Sequence, residues 1–331
     1  MTRDRGQDVS VELRERLIPL FGGDIAIERL ALLAGGASKE AWALDLRTPQ
    51  GTRLLLVRRA GGGVIHQQTL SLEHECRLLE VAYAAGVRAP QPYGYLGEIV
   101  GRPAFVSERV SGETIGRRIA QRPELAGARA VLPAQMAEEL AKIHAIPADR
   151  VPFLEAGGPH DVLTRLEREL DSVEEPHPAI ELGLAWARQR APEGSETVVL
   201  HGDLRVGNLA VTATGLGHVL DWEFGHRGDP AEDVAWPLVR AWRFGVDQLR
   251  LGGIGDVEPY LERYNALTGR HITLASLDYW EIVGNLKWAI GALTQSRRHL
   301  SGQQRSVELA VLGRLAAEME FELLHLLERA G

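Results

Sequence analysis

The sequence of 331 residues holds one cysteine, Cys76, which excludes an internal disulfide framework and any cysteine-rich metal site. Cys76 falls in a helical pattern where a small buried apolar residue fits, and a reducing, cytoplasmic setting suits such scarcity. Long apolar runs are missing too: none approaches the ~18 residues of a membrane span. The opening MTRDRGQDVSVELRERL is charged and helical, without the apolar stretch of a secretory leader, so neither secretion nor membrane insertion is expected. Aromatics make up only 6%, and 37 Lys+Arg against 45 Asp+Glu give a formal charge of -8. That balance speaks against a nucleic-acid partner, although a local basic patch can hide within it. No internal repeat or low-complexity tract interrupts an otherwise ordinary globular composition, long enough for roughly two domains.

Pattern divides the chain. An N-terminal helix precedes ERLALLAGGASKEAWALDLRT, which reads as strand, Gly-rich turn and strand, and RLLLVRR at 53–59 is a third, buried strand. Gly61 to Gly63 break the chain before LSLEHECRLLEVAYAAG, whose 3.6-residue period predicts a helix ended by Gly86. Strands are expected near Gln91–Leu96 and Pro103–Glu108, followed by a hinge at VSGET. Residues 1–108 therefore form a small strand-rich lobe with one inserted helix, and residues 109–331 a larger, mainly helical one, with the hinge near 108–113. The fold class is α+β and bilobal.

One stretch of the helical lobe is β-rich, TVVLHGDLRVGNLAVTATGLGHVLDWEFGHRGDP. Leu209–Thr212 and His218–Leu220 read as strands joined by a longer loop over 213–217, and a hairpin brings Asn208 back beside Asp221. An amide oxygen next to a carboxylate is a hard-oxygen pair of the kind Mg²⁺ takes when water and phosphate oxygens complete its shell. Asp203, on the same loop, is placed to accept a hydrogen bond from a substrate hydroxyl and orient it for in-line attack.

In the small lobe, Leu72, Glu75, Cys76, Leu79, Ala82 and Tyr83 share one helical face on which Glu75 is the only acid. An inward carboxylate needs a partner, and Arg58 on the preceding strand is the candidate. Such a pair would turn a guanidinium toward nucleotide phosphates.

H-G-D-L-R-V-G-N at 201–208 resembles the catalytic loop of the aminoglycoside phosphotransferase and choline kinase family, and L-D-W-E-F at 220–224 resembles its metal-binding segment. The likeness spans nearly the whole chain in the right order. It implies a protein-kinase-like fold, with Asp203 as catalytic base, Asn208 and Asp221 as Mg²⁺ ligands and Glu75 as the acid of the small-lobe helix. Gly35, Gly36, Ala37 and Ser38 take the place of the nucleotide loop without a full G-x-G-x-x-G, and Arg58 stands where lysine is usual. Adenine would lie near Glu108 to Val110. The implied activity is transfer of the γ-phosphoryl group of ATP, with GTP as the other candidate donor, to the hydroxyl of a small molecule. VRRAGGG, HECRLL and the C-terminal run NLKWAIGALTQSRRHLSGQQRSVELAVLGRLAAEME look like the branch joined to acyl-CoA dehydrogenases, which implies hydroxy acids or hydroxyacyl-CoA as acceptors beside aminoglycosides.

Structural readings compete at several positions. His201 braces the loop rather than moving protons. Asp229 and Glu232 cap a helix starting at Pro230, and Asp233 reads as an exposed helical acid. Trp222, Trp236 and Trp242 read as core. A polycationic acceptor calls for an acidic cleft, whereas an anionic one favours Arg297, Arg298 and His299. The rival classes are a metallophosphoesterase, whose additional His and Asp ligands are missing from the motif, and a nucleotide-binding pseudokinase, to which the arginine at 58 lends weight. Oligomeric state leaves no trace in the sequence.

Overall fold

The computed structural model describes residues 2–33, 39–61 and 69–331, with residues 2–8 described by backbone alone. Helix α1 (Thr2–Phe21) leads into strands β1 (Ala26–Leu32), β2 (Lys39–Thr48) and β3 (Gly51–Ala60). Alternation assigns the two faces of these strands. Trp42, Leu44 and Leu46 of β2 and Leu55 and Val57 of β3 pack with Val9, Leu13 and Leu17 of α1 into an apolar core of their own. Lys39, Ala41, Leu56 and Arg58 point the other way and line a cleft.

Helix α2 (Leu72–Ala84) starts where the Ser71 hydroxyl accepts the His74 N–H at 3.1 Å. Its buried face is Leu72, Glu75, Cys76, Leu78, Leu79 and Ala82, within which Glu75, Leu78, Leu79 and Ala82 follow the i, i+3, i+4, i+7 spacing. Tyr83, expected on that stripe, stands 44% exposed, and Leu78 takes the buried place. Burial pushes the Cys76 thiol far up, so it is an inert core residue. Strands β4 (Pro92–Ile99) and β5 (Arg102–Glu108) complete an antiparallel sheet in the order β1-β2-β3-β5-β4.

Past Glu108 come α3 (Gly116–Gln121), α4 (Ala126–His144), α5 (Pro159–Asp171) and α6 (Pro178–Gln189). The β-rich stretch then forms β6 (Val198–Leu200), β7 (Leu209–Thr212), β8 (Gly215–Val219) and β9 (His226–Gly228). Strand β6 pairs antiparallel with β9, and β7 with β8. The β7–β8 turn is tighter than composition suggests: Thr212 pairs with Gly215, leaving Ala213 and Thr214 as the turn, and Gly217 bulges out of the ladder. Helices α7 (Pro230–Ala235), α8 (Val257–Thr268), α9 (Leu274–Leu300) and α10 (Val307–Ala330) follow. A second, larger core runs from Leu79 of α2 through Phe105 of β5 to Leu286 of α9 and Leu323 of α10. Among the described residues no helix is long and apolar enough to cross a membrane.

Candidate active site

The two short ladders fix two loops at both ends. Segment 201–208 runs from β6 to β7 and segment 220–225 from β8 to β9, and the Leu220 N–H donates to the Asn208 carbonyl at 2.8 Å. Asn208 and Asp221 are thereby neighbours, as the hairpin reading requires. The Asn208 amide donates both hydrogens to Asp203, one to its carbonyl at 2.9 Å and one to Oδ2 at 2.6 Å. This pairing sets the amide flip and turns Asn208 Oδ1 away from Asp203 as an uncommitted acceptor. Asp203 Oδ1 takes the Trp236 indole N–H at 2.6 Å and Arg205 Nε at 3.1 Å. Arg205 is in turn held with its guanidinium 4.1 Å from the Trp242 ring centroid.

Asp221 has a left-handed backbone, φ 59° and ψ 69°, a conformation that costs a non-glycine residue about 1 kcal/mol or more. Arg58 Nη1 lies 2.5 Å from its Oδ1. Burial works to raise the Asp221 carboxyl, but Arg58, with help from Arg205 and Lys39, outweighs it and holds the group below the usual carboxylate range. It is an anion facing the cleft.

Behind the loop sits Asp233. It is fully buried, contrary to the expectation of an exposed helical acid, because it accepts the N–H groups of His201 at 2.7 Å and Gly202 at 2.9 Å. His144 Nε2 approaches it at 3.3 Å, and His144 Nδ1 meets the Tyr264 hydroxyl at 2.6 Å. His201 braces the loop as expected. The Asp203 N–H donates to its Nδ1 at 3.2 Å, so the proton sits on Nε2 and is donated to the Leu220 carbonyl at 3.0 Å. Gly202 has φ +77°, and a Cβ there would lie 2.2 Å from the Phe224 carbonyl oxygen; only glycine satisfies both demands. Asp229 caps α7 by accepting the Ala231 N–H at 2.8 Å. Glu232 does not close a capping box, since its carboxylate turns to His226 at 3.4 Å.

Glu75 is buried as predicted, but Arg58 is only one of its partners. Arg58 Nη1 stands 3.5 Å from Oε1, while Lys39 Nζ bonds Oε2 and also lies 2.7 Å from Glu223 Oε2. All these groups open on a cleft of about 1450 Å³ that brings together Arg58, Glu75, Asp203, Asn208 and Asp221. Its apolar wall includes Leu33, Ala41, Leu56 and Leu220 and reaches Ser107. Glu108 is turned aside, accepting the Gln91 N–H at 3.3 Å, and neither it nor Val110 contributes to that wall. Gly35, Gly36 and Ser38 lie outside the described residues.

Several site residues escape the sequence reading. Lys39 had a signal, since period-2 alternation puts it on one face with Ala41. Trp236 and Trp242 had none, and only the fold turns these two to Asp203 and Arg205; Trp222 is core, as expected. At the end of the cleft away from the sheet stand Arg165, Arg168, Lys287 and Arg298, with Glu169 as the acid among them. Nε of Arg165 and Nε of Arg298 are buried without a hydrogen-bond acceptor among the described residues. Of the three basic residues expected there, Arg297 instead pairs with Glu174 at 2.8 Å and His299 Nδ1 accepts the Ser306 N–H at 3.0 Å. Local contacts near the α9 C-terminus claim them.

A divalent cation fits the donor chemistry. Asn208 Oδ1 and Asp221 are hard oxygens, and Glu75, Asp221 and Glu223 outnumber Lys39 and Arg58 by one charge. No group of three or more His, Cys, Asp or Glu able to hold a metal occurs among the described residues.

Fold and cleft define a two-lobed phosphotransferase of the kinase-like class. The chain belongs to the phosphotransferase enzyme family (APH), whose model matches residues 29–277. It is 26% identical over 298 residues to acyl-CoA dehydrogenase family member 10 of Mus musculus, covering 81% of this chain and 26% of that protein. It is 24% identical over 297 residues to family member 11 of Gallus gallus, covering 83% and 38%. The chain thus spans well under half the length of these curated relatives. Among solved structures, a candidate aminoglycoside phosphotransferase of Ralstonia eutropha superposes with TM-score 0.74 at 21% identity, covering 96% of this chain and 98% of that one. A spectinomycin phosphotransferase in complex with ADP and spectinomycin gives 0.62 at 12%, covering 94% and 97%. At such identities these two structures establish the fold alone.

Proposed function

We propose that this protein is an ATP-dependent small-molecule kinase, with GTP as the other candidate donor, in which residues 1–108 hold the nucleotide and residues 109–331 the acceptor across a hinge at 108–113. The observation that carries the reading is the state of Asp203. Oδ1 accepts two hydrogen bonds and Oδ2 one, so a single lone pair on Oδ2 remains for an acceptor hydroxyl. Asp203 orients that hydroxyl and takes its proton as the oxygen attacks the γ-phosphorus, while the bond from that phosphorus to the β,γ-bridging oxygen breaks and the nucleoside diphosphate leaves. Asn208 Oδ1 and Asp221 would hold Mg²⁺, which when bound neutralises charge on the phosphates. Arg58, braced by Glu75, grips the non-transferred phosphates. The apolar wall of Leu33, Ala41, Leu56 and Leu220 suits an adenine ring. Gly35, Gly36 and Ser38 would offer backbone N–H groups to the phosphates. A cytoplasmic location, close to a supply of ATP, accords with this chemistry.

The acceptor is an anionic hydroxy compound, such as a hydroxy acid or hydroxyacyl-CoA, rather than an aminoglycoside. Arg165, Arg168, Lys287 and Arg298 would repel a polycation, and two of these arginines carry buried N–H donors that find no acceptor among the described residues. Relatives named as acyl-CoA dehydrogenase family members support an acyl substrate.

The test is phosphate transfer from ATP to a panel of aminoglycosides, choline-like amines, hydroxy acids and hydroxyacyl-CoA esters. Asp203→Asn should lower turnover by roughly 10² to 10⁴ with nucleotide affinity retained. Equal turnover of variant and wild type, or transfer to polycations alone, overturns the reading.

A further inference from the structure

Glu75 is buried with 1% of its surface exposed, and its two oxygens face two different cations. Oε1 faces Arg58 and Oε2 bonds Lys39. The cations differ in what else they serve. Arg58 sits 2.5 Å from Asp221, so its charge is committed to the carboxylate that faces the cation position. An ammonium group has three N–H donors in a compact head, and among the described residues Lys39 spends one in a hydrogen bond to Glu75 and faces Glu223 with another side of the head.

Position points the same way. Lys39 begins β2, on the sheet face shared with Ala41, and Arg58 pairs with Ala41 in the neighbouring strand. Lys39 and Arg58 therefore stand diagonally on one face, and both line the cleft beside Asp221. With its side chain 10% exposed, Lys39 is anchored from two sides, by Glu75 of α2 and by Glu223 two residues beyond Asp221. A lysine so placed has its charge aimed between the sheet and the two loops, where the phosphates of a bound nucleotide would run.

We infer that Lys39 is a second phosphate-binding cation, contributed by β2, which holds the nucleotide's phosphates together with Arg58 of β3. Glu75 positions both heads at once. This rests on the kinase reading above and adds to it a residue whose charge, rather than its bulk, sets triphosphate affinity.

Equilibrium binding tests it without turnover. Titration calorimetry would measure Mg·ATP and adenosine binding to the full chain, its Lys39→Met variant and its Lys39→Arg variant. Lys39→Met should bind Mg·ATP roughly 10- to 100-fold more weakly, as expected for loss of a charge-assisted contact, while its adenosine affinity stays near wild type; its thermal midpoint should fall, because Glu75 and Glu223 lose a cation. Lys39→Arg should recover most of the loss. Unchanged Mg·ATP affinity in Lys39→Met overturns the assignment and leaves the kinase reading standing. Parallel loss of ATP and adenosine binding also overturns it, since that marks a structural lysine. A wild-type chain that binds adenosine and Mg·ATP equally, or neither, overturns both.

Discussion

The Asp233 carboxylate receives the backbone N–H groups of His201 and Gly202, one on each oxygen, at 2.7 and 2.9 Å. The loop bearing Asp203 is thus suspended from a buried charge on α7. Burial acts to raise this carboxyl, yet hydrogen bonding and charge from His144, followed by His201, hold it below the ordinary range. Asp233→Asn puts an amide N–H against a backbone N–H in a site closed to water. It should cost about 3 kcal/mol of stability and lower turnover by more than it changes KM. Urea unfolding alongside steady-state kinetics checks both, and a variant matching wild type in each would remove Asp233 from this role.

Trp236 supplies the shorter of the two hydrogen bonds to Asp203 Oδ1. Trp236→Phe keeps an aromatic ring in the same packing and deletes the donor. Turnover should fall about tenfold or more, the range for a hydrogen bond to a charged group, with KM for ATP nearly unchanged. Should turnover hold, the indole is only a wall.

Two histidines give stability opposite dependences on pH. Burial keeps the His201 imidazole below its ordinary value of 6.5, against the pull of Asp233 and Asp203. Its contribution is complete above 6.5 and is lost as pH falls from there through the folded value. For His226 burial also opposes charge, but the Glu232 carboxylate prevails and raises it above 6.5. Nδ1 faces the Phe224 carbonyl at 2.9 Å and Nε2 faces Glu232, an arrangement suited to the imidazolium. That contribution is complete below 6.5 and fades as pH rises through the folded value. Melting curves from about pH 5 to about pH 8 should show His201→Gln flattening the acid side and His226→Gln the alkaline side. Variants that merely lower the whole curve would refute the assignment.

Much of the fold could be read from the chain because its signals are local. Alternation in RLLLVRR, the period around Glu75 and the turn residues near Gly86 each state one element, and the order of elements supplied the rest. The Asp203, Asn208 and Asp221 grouping was legible for the same reason, since one hairpin returns the chain to its start. What stayed hidden depends on pairs far apart in sequence. Asp233 looks exposed until 201 and 202 arrive above it, Trp236 looks like filling until Asp203 turns toward it, and Lys39 has no partner until α2 brings Glu75. Of the charge at the far end of the cleft the sequence pointed to Arg298 alone; Arg165, Arg168 and Lys287 join it only when α5 and α9 meet.

The missing side chain at position 202 has a mechanical consequence. With the Phe224 carbonyl lodged where a Cβ would be, neither segment can slide without pushing the other. Asp203, Asn208 and Asp221 consequently sit on one stiff plate, and under the kinase reading any closing of the molecule over its reactants is expected from the five-stranded sheet rather than from these loops.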